Sequence, residues 1–392
     1  MSERILVKNV KLYNNINATN SYDILISNGI ISSINPTSEE SISEDIFNGS
    51  GLIAIPGIID MHIHGAGGSD SLDGTMDSFQ NISRTLAMTG TTAFLSAMVI
   101  NPKKINDHLI MAKQCTGKDL GGAELLGAYL EGPFINIEKR GGIVPESITE
   151  PSERVLDNIL QEAGEAIKIM CVAPELNGID IIIKRLRDNG IIASFGHSDA
   201  SYEDTIRGFD MGINHVTHLF NAMRPLHHRD PGPLAAIFEE DKVSVELIGD
   251  SHHVHPSLIR MTGKLKHTSK IVCISDGISG MGLPDGIYTY NKRKYSSKNG
   301  LARYLDGTFI GSTMSLLNIL MNFMDFTGKG FIEAIDSVTI NPARILGIDN
   351  RKGSLDIGKD ADLVLIDSDF NVHKTIISGR MVYSNDNDHP HI

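Results

Sequence analysis

Residues 56–65 read Pro56-Gly57-Ile58-Ile59-Asp60-Met61-His62-Ile63-His64-Gly65. The apolar run that starts at residue 52 carries into this stretch, so the pattern predicts a buried strand ending on two histidines. His62 and His64 stand two apart, and on a strand that spacing points both side chains to the same face. This run is the first of eight; the others cover 92–99, 125–130, 167–172, 191–195, 215–219, 243–248 and 271–274. Amphipathic segments at 153–160, 179–187, 202–209 and 258–265 lie between several of them. Eight buried-type strands separated by helices predict an α/β fold, a closed (β/α)8 TIM-like barrel. An open doubly wound sheet is the rival architecture, but no Gly-rich dinucleotide loop follows the first strand.

Outward from the barrel the texture changes. Residues 5–10, 22–26 and 30–34 read as short strands, with Asn28-Gly29, a strong hairpin signal, between the last two. The far end repeats the pattern at 362–366 and 372–377, with Ser378-Gly379-Arg380 turning into 381–383. These ends predict a small β-sandwich domain built from residues 1–55 and 350–392, with the barrel occupying 56–349.

At 41% hydrophobic and 21% charged, the 392 residues suit an ordinary globular protein with a sizeable core. The first residues carry no signal-peptide pattern, and no apolar stretch approaches the ~18–20 residues that cross a bilayer. A cytoplasmic protein is expected. Cys115, Cys171 and Cys273 are odd in number and far apart, which suits buried thiols in a reducing compartment and neither disulfides nor a Cys-based zinc site. A formal net charge of −13 speaks against nucleic acid or an anionic membrane as partner. A small anion remains admissible, since a few local donors bind phosphate against an unfavourable global field.

The histidines and acids fall at the strand ends. His62 and His64 close the first strand, Glu131 the third, His197 the fifth, His218 the sixth and Asp276 the eighth. In a (β/α)8 barrel those ends converge on one mouth, where active sites are built. Imidazole and carboxylate form a normal ligand set for Zn, Fe and similar divalent ions. A lone histidine at a strand end is commonly just a satisfied polar residue. Four histidines and two acids on one face are a different matter, and they predict a metal site. Asp276, in Ser275-Asp276-Gly277, has the composition of a turn. Its place at the eighth strand end assigns it proton transfer instead: it would accept a proton from water and hand it to a leaving amine. The Met and Phe residues of 314–326 read as the buried stripe of a helix, and His227, His228, His252 and His255 as loop histidines.

The stretch 56–65 resembles the opening motif of the amidohydrolase superfamily. Glu131-Gly132-Pro133-Phe134, Gly196-His197-Ser198 and His215-Val216-Thr217-His218-Leu219-Phe220-Asn221-Ala222-Met223 are more specific, and together resemble its N-acetylglucosamine-6-phosphate deacetylase family. Asn341-Pro342-Ala343 and 353–362 resemble the superfamily's return to its β domain. The resemblance implies that Glu131, His197 and His218 hold the main metal. His62 and His64 match members with a second ion, so one or two divalent ions are expected. It implies Asp276 as general base and then acid, backbone donors of Asn221 and Ala222 at the sugar phosphate, and His253 at the sugar. Arg229 would reach a phosphate across a homodimer interface. Hydrolysis of the N-acyl amide would release acetate and an amino-sugar phosphate. Where that family usually carries a Lys/Arg-Gly-Ala-His type stretch, this chain reads Arg140-Gly141-Gly142-Ile143-Val144. The galactosamine epimer is therefore the alternative substrate.

Two rivals meet contrary residues. Cyclic-amide hydrolases commonly bridge two metals with a carboxylated Lys at the fourth strand's end, where this chain has Val172-Ala173-Pro174-Glu175. A non-catalytic scaffold has no reason to keep six intact ligands.

Overall fold

In the computed structural model of the chain, which describes residues 4–15, 20–37, 45–290 and 292–385, eight strands pair in parallel and in chain order. They are Ile58–Ile63, Thr91–Met98, Glu124–Glu131, Ile167–Val172, Ile192–Phe195, His215–Val216, Ser244–Ile248 and Ile271–Ile274. Every residue of Thr91–Met98 is buried, as a parallel strand covered on both faces requires. The ring closes between the first and last strands: the Asp276 amide donates to the His62 carbonyl at 3.0 Å, and the His64 amide to the Gly277 carbonyl at 2.7 Å. The expected (β/α)8 barrel is present.

Helices cover the outside. Glu153–Ala163, Ile179–Asp188, Tyr202–Met211 and Pro256–Leu265 lie at the four amphipathic segments of the sequence; the first two bury apolar stripes, whereas Tyr202–Met211 buries Thr205 and Gly208 and Pro256–Leu265 buries Ile259 and Thr262. Ser201 and Asp204 form a reciprocal capping box at the start of Tyr202–Met211, satisfying amides that the first turn leaves without partners. Among the described residues no helix is long and apolar enough to cross a membrane.

The apolar run 52–63 proves to be two strands. Ile53–Pro56 pairs antiparallel with Leu363–Ile366 in a sheet made from both chain ends, and only Ile58–Ile63 belongs to the barrel. The chain changes sheets at Gly57, where a Cβ would lie 2.2 Å from the Thr92 hydroxyl oxygen. Both strands are buried on both faces, so no change of hydrophobic pattern marks the break. The terminal sheet adds Arg4–Leu12, Tyr22–Ser27, Ile30–Pro36, Asp45–Asn48, Val372–Ile377 and Arg380–Ser384 around a core that includes Val7, Ile24, Ile31, Leu363 and Ile376. Both expected hairpin turns have two successive residues at positive φ, Asn28 (52°) and Gly29 (79°), then Ser378 (47°) and Gly379 (74°). That is the backbone of a type I′ turn, whose twist matches the flanking strands. Residues 1–3, 16–19, 38–44 and 386–392 of the expected β domain lie outside the described residues.

Lys352, 2% exposed, ties this sheet to the barrel. Its ammonium meets Glu124, at the start of the third barrel strand, at 2.7 Å; it also meets Asp360 at 3.2 Å and Asp362.

One element was not anticipated. After the eighth strand, Gly286–Tyr290, Arg293–Lys298, Leu301–Tyr304 and Phe309–Ser312 form a separate antiparallel sheet. The Ser312 amide donates to the Asp276 carbonyl at 2.8 Å, which anchors this sheet at the barrel's closing seam.

Candidate active site

Each strand-end residue named from the sequence arrives at the same mouth. Glu131, the last residue of the third strand, stands at the centre. Its Oε1 lies 3.3 Å from His197 Nε2, 3.2 Å from His218 Nε2 and 3.4 Å from His62 Nε2, and its Oε2 lies 3.3 Å from His64 Nε2. Asp276 Oδ1 is 3.4 Å from His64 Nε2 and 3.6 Å from His62 Nε2. Two groups result, Glu131–His197–His218 and His62–His64–Asp276, each with its ligand atoms within 4.8 Å of one another.

The donor set fits divalent metal. His197 Nδ1 faces the Lys139 carbonyl at 2.8 Å, a group that can only accept. His197 therefore carries its proton on Nδ1 and turns the Nε2 lone pair into the site. His218 Nε2 approaches His197 Nε2 to 3.1 Å, and the buried His62 Nε2 has no hydrogen-bond partner. Converging imidazole nitrogens of this kind repel unless a cation or a proton lies between them.

The electrostatics agree. Burial works against charge on Glu131, yet the surrounding His197, His218, His62 and His64 hold its carboxyl well below the usual carboxylate range. Burial likewise opposes charge on Asp276, and His64 and His62 outweigh it, bringing that carboxyl down to about 2.

The backbone is bent to present these groups. His197 (φ 46°), His218 (27°), Ala222 (54°) and Asp276 (47°) all occupy the left-handed region without being glycine. Each such residue costs on the order of 1–3 kcal/mol, and such strain clusters at functional sites. The His218 amide is held by the buried Glu246 carboxylate at 3.2 Å, and the Asp276 amide by the His62 carbonyl. The expected strand 215–219 accordingly stops at Val216, because the chain must turn before it presents His218.

A cavity of about 280 Å3 opens above the ligands. Asn221, Ala222 and His253 line it, along with Ile143, Tyr290 and Phe309. His253 Nδ1 lies 2.6 Å from Asp250 Oδ2 and its ring meets Phe309 edge-on, so the imidazole is held at the cavity wall. The Asn221 amide donates to the His218 carbonyl at 3.0 Å within its own turn. Arg229 is exposed and is not brought to the cavity of its own chain.

Sequence reasoning passed over Glu246, His215 and Tyr129, which back the ligands, and the wall residues Tyr290 and Phe309. Glu246 had a signal: it is the one acid inside the apolar run 243–248, and a charge placed on a buried strand demands partners. The inserted sheet had weaker ones, the Asn299-Gly300 and Asp306-Gly307 pairs between short alternating segments.

A barrel closed by its own catalytic face, with a His/Glu/His group at the strand ends, is matched by known proteins. The amidohydrolase family pattern covers residues 53–382, and the chain belongs to that family. Within it, the chain is similar to N-acetylglucosamine-6-phosphate deacetylase of Bacillus subtilis (strain 168), 34% identical over 98% of either chain. It is also similar to N-acetylgalactosamine-6-phosphate deacetylase of Escherichia coli O157:H7, 31% identical over 92% of this chain and 94% of that one. Among solved structures, N-acetylglucosamine-6-phosphate deacetylase of Thermotoga maritima superposes with a TM-score of 0.83 at 31% identity, covering 97% of this chain and 100% of the other.

Proposed function

We propose that this chain hydrolyses the acetamide of N-acetylglucosamine 6-phosphate, releasing acetate and glucosamine 6-phosphate. The observation that carries this reading is the placement of Asp276 with His62 and His64 at the strand ends, on the floor of a cavity that Asn221, Ala222 and His253 line. Similarity to the deacetylases over nearly the whole chain supplies the substrate class.

In this reading Glu131, His197 and His218 hold a divalent ion, zinc or iron, and His62 and His64 with Asp276 take a second. A bound ion supplies Lewis-acid polarisation of the acyl carbonyl and makes a water acidic near neutral pH. Asp276, charged at neutral pH, accepts the proton of the attacking water as its oxygen bonds to the acyl carbon. The same carboxyl then delivers that proton to the amine nitrogen as the C–N bond breaks. His253, held through Nδ1 by Asp250, directs Nε2 at the sugar. Ile143, Phe309 and Ile310 give the cavity an apolar wall that excludes water from the reacting bond. Asn221 and Ala222 bind the phosphate end, and Arg229 completes that subsite from the second copy of a homodimer. We place the β domain at 1–55 and 350–392, the catalytic barrel at 56–349, and the protein in the cytoplasm.

Acetate release from the gluco and galacto 6-phosphates, measured side by side on metal-loaded protein, tests the reading. A higher kcat/KM for the gluco substrate is expected. Preference for the galacto epimer would reassign the substrate, and no release from either would end the proposal.

A further inference from the structure

The motif that ends on His218 begins with His215, a fully buried histidine with no part in the chemistry above. His215 Nε2 lies 3.0 Å from Glu246 Oε1, and its Nδ1 lies 2.8 Å from the Ser244 hydroxyl. Glu246, also fully buried, turns its other oxygen to the site: Oε2 lies 3.1 Å from His62 Nδ1 and accepts the His218 amide at 3.2 Å. One carboxylate thus grips a side chain from the first barrel strand, a side chain from the sixth, and the backbone of a strained ligand.

An ionised carboxylate has no proton to give, so each of these three contacts requires the proton on the partner. For His62 this puts the proton on Nδ1 and leaves the Nε2 lone pair facing Glu131 and Asp276. The ring is also flanked by Tyr129, whose ring lies tilted at 45° to it with centroids 4.5 Å apart. Tyr129 is itself pinned by its hydroxyl, 2.7 Å from Thr217 Oγ1 and 3.3 Å from Ser194 Oγ.

We infer that Glu246, braced by His215, is a positioning residue that fixes the tautomer and aim of His62 so that its Nε2 is presented to a metal ion. The inference rests on the reading that His62 holds an ion, and it gives His215 of the motif a purpose. Loss of a group that orients a metal-bound histidine lowers metal affinity by roughly 10–100-fold.

The amide of Gln makes a sharp comparison. The His218 amide can only donate, so in E246Q the amide oxygen stays at the Oε2 position and still accepts from His62. The NH2 then faces His215, which shifts its proton to Nδ1 and donates to Ser244; Ser244 in turn has the Asn214 carbonyl as acceptor at 3.3 Å. E246Q keeps the His62 tautomer, whereas E246L abolishes the acceptor.

Zinc affinity of the full-length apoprotein, measured by competition with a chromophoric chelator and without substrate, tests this. The set is wild type, E246Q, E246L, H62A and H62A/E246L. Affinity should fall from wild type through E246Q to E246L, by roughly 10–100-fold in total. E246L should cost clearly less in the H62A background than alone, what remains being the lost acceptor of the His218 amide. Should E246L fail to fold, H215F takes its place in the same cycle: it frees Oε1, and its effect on zinc should likewise be smaller once His62 is gone. Wild-type affinity in E246L, equal losses in E246Q and E246L, or losses that multiply with H62A would each overturn the role of Glu246. If H62A itself binds zinc as the wild type does, the ion at His62 is lost from the reading and this inference with it. A protein inactive on both sugar phosphates would leave these affinities, and the inference, untouched.

Discussion

Replacing Asp276 by Asn separates proton transfer from the turn that residue shapes and from the ion at Glu131–His197–His218. Asp276 sits at φ 47°, where a side chain is ordinarily strained, and Asn is among the residues that tolerate this region best. The amide has nearly the shape of the carboxylate, so the closing seam through the Asp276 amide and carbonyl should survive. What is lost is a group that takes and returns a proton. General acid–base catalysis contributes about 10²–10⁴-fold, and one carboxyl serving both steps belongs at the upper end. A fall of about 10³–10⁴-fold in kcat is therefore expected, or ~4–5.5 kcal/mol in the barrier. Steady-state acetate release should show this loss in kcat with KM changed far less, while elemental analysis still finds an ion at Glu131–His197–His218. The melting midpoint should move little. Turnover within about tenfold of wild type would show that Asp276 only shapes the turn, and the proton path would have to be sought elsewhere.

Other perturbations probe the remaining parts. Arg229→Ala should lower kcat/KM for the phosphorylated sugar by ~10–150-fold, the worth of a charge-assisted contact of about 1.5–3 kcal/mol, and leave the unphosphorylated analogue nearly unaffected. Mixed dimers of R229A and D276N chains should regain activity above either parent; no recovery in demonstrably mixed dimers would place Arg229 outside the partner's site. Lys352→Met strands Asp362, which is 5% exposed, without its cation and should cost about 3–5 kcal/mol in urea denaturation; a loss below ~1 kcal/mol would mean the joint is held by packing alone. Burial pulls the Lys266 ammonium down to about 8 from its usual 10.5. Between those values the unfolded chain binds the extra proton, so stability should rise with pH in that window. Melting at pH 7 and 9.5 should show wild type gaining on K266M; parallel curves would refute it.

Much of the molecule was legible because its determinants are local. The eight buried runs, the amphipathic helices and the Asn28-Gly29 turn each follow from composition over a few residues. The ligand positions at strand ends then follow from the barrel itself. What escaped depends on partners distant in sequence. The end of the terminal sheet at Pro56 is set by Leu363, some three hundred residues away, so the apolar run 52–63 looked continuous. His218 bends into a left-handed turn because Glu246 holds its amide, and no property of residues 215–219 reveals that acceptor. His253 was assigned to the sugar through resemblance alone; its place on the cavity wall is fixed by Asp250 and by Phe309 of the inserted sheet. Arg229, in the isolated chain, has no such partner to place it at the cavity.

The seam that closes the barrel also has a temporal meaning. Ile63 bridges Gly277, the Asp276 amide donates to the His62 carbonyl, and Asp276 joins His62 and His64 in one ligand group. These residues are more than two hundred positions apart, so their contact is among the slowest kind for a chain to make. A nascent chain that has emerged only as far as the seventh strand holds Glu131, His197 and His218 but has neither a closed ring nor Asp276. In the proposed reading the chemistry waits for that closure. If an ion is held at His62, His64 and Asp276 as proposed, its capture in a refolding experiment would report that the first and eighth strands have met.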